Sequence, residues 1–83
     1  MATKNNPGAF DCYANALPDE PMFILLARDK ASPAVVRFWA LERIKTGKNR
    51  ITDAQIQDAY ACAKAMEEYQ AKLAAPAAAT DTL

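Results

Sequence analysis

The sequence predicts an all-α protein: a small helical domain of three to four helices, two short and two longer, forming a homo-oligomer. Three observations carry this expectation. About a fifth of the chain is alanine, the strongest helix former, and there are only two glycines. Apolar residues recur at helical spacing between start and stop residues. With 83 residues and 9.0 kDa there is room for one domain. A hydrophobic fraction of 52% beside 24% charged residues suits a folded chain rather than a disordered one.

Residues 1–8 are polar and end in Pro7-Gly8, which predicts a flexible arm ahead of a single helical domain over 9–73. Phe10, Tyr13, Ala14 and Leu17 fall on one helix face, giving two turns that Pro18 stops. Pro18-Asp19-Glu20-Pro21 then reads as the start of a second short helix through Ala27, with acids and proline in its first turn. The run Phe23-Ile24-Leu25-Leu26 also suits a buried strand, so residues 21–27 stand between helix and strand. Helix is preferred because no second strand is there to pair with it.

Ser32-Pro33 is another start signal, Ser as N-cap and Pro at N1, for a helix to about Thr46 that Gly47 ends. Thr52-Asp53-Ala54-Gln55 has the spacing of a capping box and opens a long helix to about Leu73. Its apolar half carries Ile56, Ala59, Tyr60, Cys62, Ala63, Met66, Tyr69 and Leu73. The other half carries Asp53, Gln57, Asp58, Lys64, Glu68 and Lys72. Residues 74–83 are an Ala/Pro-rich stretch expected to be a disordered tail.

The third helix is the informative one. Ala34, Val35, Val36, Phe38, Trp39, Ala40, Leu41 and Ile44 go round almost the whole cylinder. A helix apolar all round must be covered all round, and so short a chain offers little cover of its own. A second subunit is the expected cover.

Ten basic and ten acidic residues cancel, which argues against general nucleic-acid binding and a polybasic membrane anchor. The balance is uneven along the chain: residues 28–50 carry net +5, flanked by net −2 before and −3 after. No histidine is present, and Cys12 and Cys62 match no metal-binding spacing, so no metal and no cofactor is expected. Nucleophilic triads and phosphate-binding loops are absent as well, so the chain does not read as an enzyme and no catalytic residue is assigned. The N-terminus lacks the apolar core of an export signal, which points to the cytoplasm and to reduced, buried thiols.

The candidate ligand-binding set is Arg37, Trp39, Arg43, Arg28 and Glu20. Arg43 follows Trp39 by four residues and shares its face, so indole can stack on a flat ring while guanidinium takes a phosphate. The plainer alternative lays the Arg stem over Trp with its head in water or on a carboxylate. Arg37, also among apolar neighbours, needs an anion, from Glu20, Asp29 or a ligand. Arg28 is expected at the C-terminus of the second helix, where a cation meets the helix dipole. Asp19 and Glu20 read mainly as helix-capping acids. Lys45, Lys48, Arg50 and Lys64 read as a solvated face, and Tyr13, Tyr60 and Tyr69 as packing residues.

The stretch Leu17-Pro18-Asp19-Glu20-Pro21, with Phe23, Leu25, Ala27 and Asp29 and then Pro33, Val36, Trp39 and Ala40, resembles a set of short phage and prophage reading frames. They share an LPDEPxFxLxAxD…PxxVxxWA signature, and the similarity spans about residues 12–45. It implies a phage accessory protein of the host cytoplasm. Small proteins of that kind often counter host defence. Three functions are therefore carried: an oligomer that sequesters a nucleotide-derived immune signal, an inhibitor that binds a host defence protein, and a structural or regulatory oligomer without a small-molecule ligand. The Arg and Trp interleaving on the third helix favours the first.

Overall fold

The computed structural model describes residues 2–74, so the tail expected over 74–83 lies, beyond Ala74, outside the described residues. Among the described residues the fold is all-α with three helices, within the three to four expected: α1 (Cys12–Asn15), α2 (Ser32–Lys45) and α3 (Ala54–Ala74). No strand occurs among the described residues.

Two of the three sit close to their expected bounds. α2 has proline in its first turn and ends in a Schellman motif. There Lys48 N–H donates to the Arg43 carbonyl (2.9 Å) and Gly47 N–H to that of Ile44 (3.1 Å). Ser32 is not the N-cap, however. Ala31 holds that position without a side-chain bond, and the buried Ser32 hydroxyl donates to the Leu26 carbonyl at 2.7 Å. The hydroxyl is spent on fastening the incoming chain.

At the start of α3 the carbonyl of Asp53 accepts from Ile56 and Gln57 N–H, both at 3.0 Å, so Asp53 rather than Thr52 opens the helix. Gln55, expected to reach back to Thr52, instead accepts a bond from Arg43. The capping box does not form.

The first helix is one turn instead of two. Asp11 caps it, its Oδ1 accepting from Ala14 N–H at 3.1 Å, and the chain is extended again at Ala16. Phe10 lies outside it.

The second short helix expected over 21–27 is not formed. Two tight turns bracket the segment: Glu20 N–H donates to the Leu17 carbonyl (3.1 Å) and Asp29 N–H to that of Leu26 (3.0 Å). Five residues between such turns cannot repay helix nucleation. Glu20 accordingly caps a turn and not a helix, its Oε1 accepting from Leu17 N–H at 3.0 Å.

The core lies where α2 packs on α3. Ala40, Ile56 and Ala59 form its centre, with Val36, Ile44 and Tyr60 half-buried against them. Ala63 and Met66 continue the buried stripe along α3. The stripe then leaves the core: Tyr69 and Leu73, expected inside, are exposed, as is Tyr13. α2 has run out by that point. Toward the N-terminal side of α2, Gln70 fastens the preceding segment, its Nε2 donating to the Ala27 (2.8 Å) and Asp29 (3.0 Å) carbonyls.

The outer face of α2 is uncovered. Val35, Phe38, Trp39 and Leu41 are all exposed, Phe38 to 62%. Among the described residues, the chain covers one side of this helix.

Candidate functional site

Arg37 and Arg43 are six residues apart, which sets them about 120° from each other around the helix. They therefore border the buried face of α2 on opposite edges, and each is engaged with a different part of the chain. Arg37 forms a two-pronged pair with Glu67 of α3: Nη1 lies 2.6 Å from Oε2 and Nη2 2.9 Å from Oε1. The guanidinium bond holds the Glu67 carboxyl below its ordinary value and raises Arg37 in turn. The anion for Arg37 is thus an acid of its own chain. It is neither Glu20 nor Asp29.

Arg43 stacks as expected, its guanidinium carbon 5.3 Å from the Trp39 ring centre. Its polar edge is turned toward the α2–α3 connection. Nε donates to Asn49 Oδ1 at 2.6 Å and Nη2 to Gln55 Oε1 at 3.4 Å, the latter a long bond. Asn49 passes the chain of bonds on, its Nδ2 donating to Asp53 Oδ2 at 2.9 Å, which also accepts Arg50 N–H at 2.9 Å. Those bonds, the Arg50 backbone first and Asn49 second, hold the Asp53 carboxyl below the usual range.

The structure therefore brings Trp39 and Arg43 together and sets Arg37 on the far edge. Arg28 sits exposed in the Leu26–Asp29 turn, so no helix C-terminus meets it. Glu20 lies on a shallow, open recess with Cys12, Asn15, Ala16, Pro21 and Met22, to which none of the four candidate cation and indole side chains contributes. Both cysteines are free; Cys12 is exposed, not buried, because the turn that carries it packs on neither long helix, and Cys62 is half-buried. Among the described residues no helix is long and apolar enough to cross a membrane.

The partners that sequence reasoning missed are Glu67, Asn49, Gln55 and Gln70. One signal was present for Glu67. Eleven residues after Ile56, it points about 20° away from it around α3, within the apolar half and not the polar one. An acid inside an apolar stripe, facing a helix with an embedded Arg, is a pairing signal. Asn49 and Gln55 depend on how the connection folds back, which periodicity does not encode.

Compared with family models, curated proteins and solved structures, the chain matches none.

Proposed function

We propose that this protein acts by association, as a self-assembling helical accessory protein whose protomer is completed by further copies of itself. One observation carries the reading: the balance of apolar residues inside and out. Among the described residues the buried hydrophobic ones are five, and three of them are alanine (Ala40, Ala59 and Ala63); fourteen larger ones, Phe23 and Phe38 among them, are exposed. Single exposed apolar side chains are ordinary, but contiguous groups mark an interaction surface. Here they fall into such groups, on the outer face of α2 and along residues 22–26. The accessory role is what the LPDEP resemblance implies.

Native mass spectrometry and light scattering across the micromolar range test this. Dimers or larger closed assemblies are the expected result. A monodisperse 9.0 kDa monomer at tens of micromolar overturns it.

A second reading, sequestration of a nucleotide-derived signal between subunits, is favoured by the Trp39–Arg43 stack. The indole is 39% exposed, and a base can take its open side while the guanidinium edge takes a phosphate. Arg37 is a weaker contributor, since Glu67 already neutralises it. Calorimetry with cyclic oligonucleotides and ADP-ribose derivatives decides the matter. Loss of one charged hydrogen bond in Arg43→Ala is expected to weaken binding roughly ten- to a hundredfold. No heat with any of these ligands removes the second reading and leaves the first.

A further inference from the structure

We propose that residues 22–26 form a β-ribbon between two copies of the chain, each segment pairing antiparallel with its own mate in a register centred on Ile24. The proposal rests on the self-association above and specifies its contact.

The backbone of this segment is unspent. Among the described residues, no hydrogen bond is made by the N–H or carbonyl groups of Met22, Phe23, Ile24 or Leu25. Among the described residues, Phe23 and Ile24 are among the most exposed large apolar side chains, at 85% and 63%; Met22 is exposed as well and Leu25 is half-buried. Both ends are nevertheless held. The Leu17–Glu20 turn precedes the segment, and the Leu26–Asp29 turn, fixed by Ser32 and Gln70, follows it. A strap so anchored is presented to a partner rather than left to collapse.

The anchoring also selects a register. Backbone polar groups alternate in direction along an extended strand. The Leu26 carbonyl is turned in upon Ser32 Oγ. Once the segment is extended, the N–H and carbonyl groups of Leu25 and Phe23 therefore face outward. In the Ile24-centred register these two residues pair with each other across the ribbon, Phe23 with the mate's Leu25 and the reverse. Ile24 then meets Ile24 of the mate at a non-hydrogen-bonded position. Pro21, with no N–H to give, marks the end of the ribbon, where proline is tolerated.

Charge identifies the occupant as a second copy. Asp19 and Glu20 stand at one end of the apolar run, and Arg28 and Lys30 at the other. Asp29 lies between those cations; it and Glu20 each accept one backbone N–H, from Ala31 at 2.9 Å and from Leu17 at 3.0 Å, and the two ends still differ in sign, net −2 over 19–20 and net +1 over 28–30. Antiparallel pairing sets each acidic end against the mate's basic end, twice by symmetry; parallel pairing sets like against like. The missing second strand, whose absence favoured helix over residues 21–27, is supplied by the mate.

The test is disulfide trapping in a Cys12→Ser/Cys62→Ser background carrying either Ile24→Cys or Phe23→Cys, read beside native mass spectrometry. In this register Ile24 lies about 4.5 Å, Cα to Cα, from its own mate, within disulfide reach; Phe23 is more than 7 Å from its mate. Ile24→Cys is expected to cross-link in a glutathione buffer about tenfold faster than Phe23→Cys. Phe23→Pro removes an outward N–H and is expected to raise the dissociation constant about tenfold with helical circular dichroism unchanged. An oligomer in which both cysteines cross-link equally, or Phe23→Cys faster, overturns the ribbon and leaves self-association standing. A monomer at tens of micromolar overturns both.

Discussion

At Gly47 the backbone takes a φ of +79°, and a Cβ built there meets nothing within 4 Å. Substitution therefore costs conformation and not space. Gly47→Ala is expected to destabilise the fold by about 1–2 kcal/mol, the left-handed penalty, and urea unfolding followed by circular dichroism checks it. The same turn positions Asn49 to take the Arg43 Nε–H, so the glycine also sets the partner of the candidate-site arginine. Ile56 is the opposite case, since it is wholly buried at the α2–α3 contact. Ile56→Ala is expected to cost about 2–5 kcal/mol, enough to unfold a domain of this size in the same titration.

At the scale of the elements, what was legible depended on length. α3 was legible as a helix from its stripe because twenty-one residues give the period many chances to repeat, although the capping box read as its start does not form. α2 was bounded from proline and glycine, whose effects are local and steric. The segment at 9–17 carried helical spacing and that at 21–27 a proline and acidic start signal, yet one gave a single turn and the other none. Their fate was settled by hydrogen bonds from Asp11, Glu20, Ser32 and Gln70. The Gln70 bond spans more than forty residues, beyond the reach of any local pattern. Within the candidate site, the Trp39–Arg43 stack followed from i, i+4 spacing on one helix. The Arg37–Glu67 fork joins two helices, and its tertiary register is not written in either one.

For the whole molecule, the ion pair and the relay into α3 make stability depend on pH in one direction. Glu67 and Asp53 both have carboxyl groups held below their ordinary values in the fold. The unfolded chain therefore takes up these protons at higher pH than the folded chain does. Their contribution is complete above the normal carboxylate range of about 4 and fades as pH falls through the lower folded values. Thermal unfolding is expected at a lower temperature at acid pH than at neutrality. Glu67→Gln should flatten part of that slope by removing one of the two groups, and its melting curve over the same buffers is the check.

Gln70 has a kinetic consequence. Its amide ties the last turns of α3 to the backbone just ahead of α2, so the tie can close only after the two long helices have met. What closes last opens first. The stretch around Arg28 and Lys30 should therefore loosen in brief excursions while α2 and α3 remain paired. Both residues are exposed and both are trypsin sites. With Gln70→Ala, cleavage there is expected to accelerate about five- to tenfold, the worth of roughly one hydrogen bond, with the melting temperature of the helical pair barely moved. The side chain sets how long this small protein survives a protease without setting whether it folds.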